Sequence, residues 1–294
     1  PRDRPPGTGD PAMSRYRAET VTAGLAFPEG PRWRDGRLWF TDQHARTIDA
    51  LTESGEHTIA AHTDDLPGGL GWLPDGRMLV VFMTRRCIMV LEDERLSTYA
   101  DLSDLASFHC NDMVVDGTGR IYAGNFGFDL HGGAAVASAE LIQVDPDGHA
   151  RIVDHSLVFP NGSVITPGGG TLLVAETFAH RIRSFALGKV GVTGANHVWA
   201  ELGDATPDGI CLDAEGALWV ASPGTRTLMR VKQGGAILDR CETLGTPYAC
   251  MLGGDDRRTL FVCTSETDDP AEAARRRSGR IEAARVAVPG DGLP

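Results

Sequence analysis

One text recurs six times along this chain, and the recurrence limits the fold more than any single residue does. It is a tight turn followed by a short apolar strand: WRDGRLWF at 33–40, LPDGRMLV at 73–80, VDGTGRIYA at 115–123, TPGGGTLLV at 166–174, DAEGALWV at 213–220 and GDDRRTLFV at 254–262. Gly, Asp and Pro make the reversals. Each apolar triplet is too short for a helix and suits a strand buried on both faces. A polar loop then leads to another short strand, containing Ile48, Ile88, Ile142, Ile182, Leu228 or Ile281. The loop is short in four units and long in the third and sixth, where it spans 125–139 and 265–279. A period of about 40–50 residues with at least three strands per unit predicts an all-β, six-bladed β-propeller. Only one strand, IEAARVAV, remains for the sixth blade after its loop. The segment YRAETVTAG at 16–24 is therefore expected to supply the missing outer strand and close the ring, which removes open edges.

The chain has 294 residues, of which 36 are Gly and 41% are hydrophobic, enough for one large core rich in tight turns. Residues 14–294 are expected to form a single propeller domain. Residues 1–13 are expected to be a disordered tail or an expression remnant, with Met13 as a natural start. They have no apolar stretch of signal-peptide type. A net charge of −12 disfavours nucleic acid as a partner, and no apolar run is long enough for a membrane helix. The RRR run at 275–277 is too short to reverse the charge argument, and its simplest reading is a solvated loop face. Six cysteines, none in a C-x-x-C pair, sit mostly in apolar runs. They read as reduced, buried thiols of a cytoplasmic protein.

Aligning the innermost strands by their turns exposes a second regularity. The residues that open them are Glu29, Gly68, Asn111, Asn161, Asp208 and Tyr248, in PEGPRW, PGGLGW, CNDMVV, PNGSVI, PDGICL and PYACML. Innermost propeller strands line one channel, so these positions converge. Two carboxylates, Glu29 and Asp208, and two amides, Asn111 and Asn161, form a hard oxygen set. The set is suited first to one Ca²⁺, then to Mg²⁺ or Mn²⁺. The register holds no His or Cys, which disfavours structural zinc and leaves catalytic zinc open. The competing reading is that Asn-Gly and Asp-Gly are ordinary turn pairs and the four oxygens merely cap strand ends. Strand direction returns the loops 125–139 and 265–279 to the face that holds Glu29, where they are expected to roof the site. The first brings Phe126, Phe128 and His131 towards a substrate. The second is expected to be either a short helix or mobile. Glu176 and Asp42 are expected to bind backbone or neighbouring blades. His109 and His180 remain secondary candidates, with a hydrogen-bonded structural role equally open.

With these texts, and with NDMVVDGTGRIYAG, AETFAHRI and PDGICLDAEGALWVA, the chain resembles the SMP-30/gluconolactonase/LRE (regucalcin-like) family over about residues 17–290. The resemblance implies a six-bladed propeller with one catalytic divalent cation held by Glu29, Asn161 and Asp208. It further implies that Asn111 completes the metal shell or contacts substrate. Asp208 would be the general base, or the nucleophile in the phosphatase branch. The implied reaction opens a lactone or related ester. One departure is His109, in FHCND, where regucalcin-type lactonases tend to carry an Arg that grips substrate hydroxyls. It argues against a small sugar lactone, and the aromatic 125–139 loop argues for a more apolar acyl group. The substrate-binding candidates are thus Asn111, His109, Phe126 and His131. The rival readings are a phosphotriesterase-like hydrolase of this fold, a non-hydrolytic biosynthetic enzyme using the same metal, and a non-catalytic calcium-binding propeller. A metal-free synthase of strictosidine type has no need of the Glu29, Asn161 and Asp208 cluster. No GxSxG elbow marks a serine triad.

Overall fold

The computed structural model describes residues 14–93 and 95–292. It contains six antiparallel sheets arranged in a ring, the six-bladed propeller expected from the repeat. Blades 1 to 4 are each one continuous run of four strands. In blade 1 these are Pro28–Arg34, Arg37–Asp42, Thr47–Thr52 and His57–His62. The first strand of each blade is innermost. Each inner strand packs on the next around the ring, and that of blade 6, Thr246–Gly253, packs on Pro28–Arg34.

The apolar triplets become the second strands. Leu38, Phe40, Leu79, Val80, Tyr122, Trp219 and Phe261 are almost wholly buried, because each blade is covered by a neighbour on both faces. Removing such side chains from water stabilises the fold by roughly 1.5–3 kcal/mol each. All six cysteines are free and buried.

The N-terminus closes the ring. Strand Glu19–Leu25 pairs antiparallel with Gly279–Arg285 and forms the outer strand of blade 6. A shorter strand, Ser14–Arg17, does something the repeat does not announce. It pairs in parallel with Ile237–Glu242 and becomes a fifth strand of blade 5. Tyr16 meets Trp219 edge-on at 5.8 Å there, so one N-terminal segment ties two blades together. Residues 1–13 lie outside the described residues. Among the described residues no helix is long and apolar enough to cross a membrane.

Candidate functional site

The inner strands carry one shared irregularity at the register of interest. In blades 1, 2, 3, 4 and 6 the pairing with the second strand slips at the same place, next to Glu29, Gly68, Asn111, Asn161 and Tyr248 respectively. A bulge bends the strand and re-aims its side chain. In blade 5 the regular strand begins only at Ile210, and Asp208 is held ahead of it by its N–H, which donates to Ala221 O at 2.9 Å.

The glycines that follow argue against ordinary turns. Gly162 and Gly209 do not have the positive φ of a turn glycine. A Cβ on Gly162 would stand 2.6 Å from Asp208 O, and one on Gly209 would stand 2.4 Å from the Ala249 Cβ. Glycine is needed because adjacent inner strands approach closely near the axis. Gly162 N–H donates to Asp208 O at 3.2 Å, and Gly209 N–H donates to Tyr248 O at 2.8 Å. Asn161-Gly162 and Asp208-Gly209 are thus packing motifs, and their polar side chains stand at the channel mouth.

The approach to each of these residues is clamped. Asp42 accepts hydrogen bonds from Ala26 N–H at 2.8 Å and Phe27 N–H at 2.7 Å, just ahead of Glu29. Glu140 accepts from Ser107 N–H and Glu176 from Val158 N–H, both at 3.0 Å, ahead of Asn111 and Asn161. Ser222 Oγ accepts from Thr206 N–H at 2.9 Å ahead of Asp208. Glu282 accepts from Leu244 and Gly245 N–H at 2.8 and 3.0 Å ahead of Tyr248. Five blades use one device, a polar side chain that satisfies backbone donors of the incoming loop.

Glu29, Asn111, Asn161 and Asp208 line one cavity of about 690 Å³. His109, Phe126 and His131 line it too, as do Asp268 and Pro270, so both long loops reach the site. The second loop contains a short helix, Pro270–Arg276, whose first turn is capped by Asp269. Phe128 is not on the cavity surface. It is buried behind the wall, 5.7 Å from both Phe159 and Phe178. His180 does not line the cavity either, and its Nδ1 lies 2.9 Å from Ala205 O.

Charge at the cavity floor is unbalanced. Burial, and then the negative charges of Glu29, Asp112 and Asp268, hold the Asp208 carboxyl well above the usual carboxylate range. Burial also pushes Glu29 up to about 8, opposed by the Gly30 N–H that donates to Oε2 at 2.9 Å. Asp112 raises Glu29 further and Arg32 lowers it. Arg32 does not serve either carboxylate. Its guanidinium donates to Asp112 Oδ1 at 2.6 Å and to Leu70 O and Met113 O, stitching blades 1, 2 and 3 beneath the site. Among the described residues no Lys, Arg or His forms an ion pair with Glu29 or Asp208.

The two amides face the same way chemically. Asn111 Nδ2 donates to Pro160 O and Asn161 Nδ2 to Thr177 Oγ1, each at 3.3 Å, and the Thr177 hydroxyl in turn donates to Pro207 O at 2.8 Å. Each amide thus spends one N–H on protein, and Asn161 also hydrogen-bonds the Asp208 carboxylate, which lowers that carboxyl against the effect of burial. Among the described residues no cluster of three or more His, Cys, Asp or Glu could hold a metal. The floor has two carboxylates and two amide oxygens instead, a donor set that fits a hard divalent cation and not a soft one.

Several cavity residues carry no repeat signal. Phe159, Phe178, Arg226 and Asp268 stand on loops outside the shared register. Arg32 does have one: it is a charge inside a strand that otherwise reads as buried.

Fold and site together define a six-bladed propeller with a small-molecule cavity at one mouth of its channel, floored by hard oxygen donors. Residues 27–266 match the SMP-30/gluconolactonase/LRE-like region, and the chain belongs to that family. A 6-deoxy-6-sulfogluconolactonase of Pseudomonas putida is 30% identical over 193 residues, which is 63% of this chain and 64% of that protein's length. The pentonolactonase XacC of Haloferax volcanii is 24% identical over 260 residues, 86% of each chain. A calcium-binding regucalcin from Agrobacterium tumefaciens, 22% identical, superposes with a TM-score of 0.80 over 95% of this chain and 97% of its own, which shows a shared fold.

Proposed function

We propose that this protein is a metal-dependent hydrolase that opens a lactone, or a related ester, in the cavity between its two long loops. One observation carries the reading: two carboxylates, the half-buried Glu29 and the buried Asp208, line one cavity with the side-chain amides of Asn111 and Asn161, and among the described residues neither pairs with a basic side chain. Such a cluster is costly alone and favourable around a cation. The lactonases among its relatives support the same chemistry.

Glu29, Asn161 and Asp208, with Asn111, would hold one divalent cation, with Ca²⁺ first and Mg²⁺, Mn²⁺ or Zn²⁺ as alternatives. When bound it would polarise the substrate carbonyl as a Lewis acid. Asp208 takes the proton of the attacking water as oxygen adds to the carbonyl carbon. Burial and the neighbouring negative charges make it a stronger base than a free carboxylate. Asn111 has two N–H groups and uses one on Pro160 O; the other can donate to the developing oxyanion. The ring C–O bond then breaks, and the leaving alkoxide takes the proton from Asp208. The six unpaired, buried thiols favour a reducing, cytoplasmic setting.

The test is hydrolysis of a lactone panel followed by pH-stat titration. Chelator-treated protein should be inactive, and one of the four cations should restore turnover. Asp208→Asn should lower kcat by roughly 10²–10⁴-fold while far-UV circular dichroism stays unchanged. Undiminished turnover in chelator, or by Asp208→Asn, would overturn the assignment.

A further inference from the structure

The cavity has two chemically different halves, and they follow the order of the blades. Leu66, Met83, Phe126, Leu130, Phe159 and Phe178 form one side, contributed by blades 2 to 4 and the loops around them. Phe126 stacks on Phe159 at 4.4 Å, and Phe178 meets Phe159 edge-on at 5.1 Å. His109 extends this side. Its ring stacks on Phe108 at 4.2 Å and tilts against Phe126 at 6.2 Å. The opposite side, from blades 5, 6 and 1, holds Gln43, His44, Arg226, Tyr248 and Asp268. Phe27 is its one aromatic hydrocarbon, packed between Tyr248 and His44.

A polyhydroxylated ring carries hydroxyls on most of its perimeter. Those facing blades 2 to 4 would leave water mostly for carbon and sulfur, with the imidazoles of His109 and His131 and the Thr177 hydroxyl as the polar groups above the floor. A buried hydroxyl without a partner costs about tenfold or more in affinity. An aromatic or aliphatic group on that side gains stacking and burial instead. A cavity of about 690 Å³ also has room for more than one six-membered ring.

We propose that the substrate is a lactone bearing an aryl or alkyl face, seated on the Phe126, Phe159 and Phe178 side, with its polar edge towards Gln43 and Arg226. This rests on the lactonase reading. Phe178 is the specificity-determining residue most open to test. It is half-buried, on a single 3-10 turn, Thr177–Ala179, and belongs to neither the floor nor a strand.

The experiment compares dihydrocoumarin with glucono-1,5-lactone on cation-loaded protein, for the parent chain, Phe178→Ala and the better-packed Phe178→Leu. The parent should favour the aryl lactone by roughly tenfold or more in kcat/KM. Phe178→Ala should lose on the order of tenfold on the aryl lactone and change the sugar lactone by less than about threefold, with Phe178→Leu between. Preference for the sugar lactone, or equal losses on both substrates in both variants, overturns the inference and leaves the lactonase reading standing. Turnover of neither lactone by the parent chain overturns both.

Discussion

Glu29 and Asp208 line one cavity, and among the described residues no guanidinium or ammonium pairs with either; Arg32, the cation that lowers Glu29, is itself paired with Asp112. Without a cation, Glu29 titrates near 8 and so carries a proton at pH 7. Its folded value lies above the unfolded one. Folding therefore favours the protonated form, and without a cation this group's contribution to stability is lost as pH rises from about 4.5 through 8. A divalent ion must displace that proton. Cation binding at pH 7 is therefore expected to release protons, and affinity should rise with pH until about 8. Calorimetry in buffers of different ionisation enthalpy measures this. A binding enthalpy independent of buffer would place the ion away from Glu29. The same two side chains are the part of the site most legible in the sequence, since they recur at one register of a repeat. Asp112 is less legible. Its partner is 80 residues away, and a single sequence does not state pairings.

At the scale of elements, the inner-strand bulges and the clamped loops set where those side chains stand. The turn-plus-triplet text is legible because it alternates buried and reversing residues on a fixed period. The clamps are only half legible. Asp42 and Glu176 stand out as carboxylates after apolar strands, but the N–H groups that donate to them, at 26–27 and 158, belong to the preceding connection. Aromatic walls escape notice for a different reason: Phe159 and Phe178 lie on loops, where no period marks direction. The clamp has a measurable consequence. Asp42→Ala leaves the Ala26 and Phe27 N–H groups buried without acceptors, at roughly 1–3 kcal/mol each. It should lower stability by roughly 2–5 kcal/mol in urea unfolding and also weaken cation binding severalfold, through displacement of the segment that carries Glu29. Lost stability with unchanged cation affinity would make the clamp structural only.

The whole ring is what turns four scattered oxygens into one site. Glu29 and Asp208 are far apart in sequence and adjacent only because the channel brings every inner strand to one axis. Closure of that ring by Glu19–Leu25 is legible from the missing strand of blade 6. The parallel addition of Ser14–Arg17 to blade 5 is not, because a fifth strand answers no gap in the repeat. If the floor holds a cation, the ion also ties blades 1, 3, 4 and 5 together, and the molecule should carry one ion per chain. The most direct test is metal content by mass spectrometry of protein purified without chelator, beside Asp208→Ala prepared identically. The account predicts about one divalent ion per parent chain, absent from the variant. A folded parent chain that retains no ion under any supplied divalent metal would contradict it, and would leave Glu29 and its neighbours as polar strand ends.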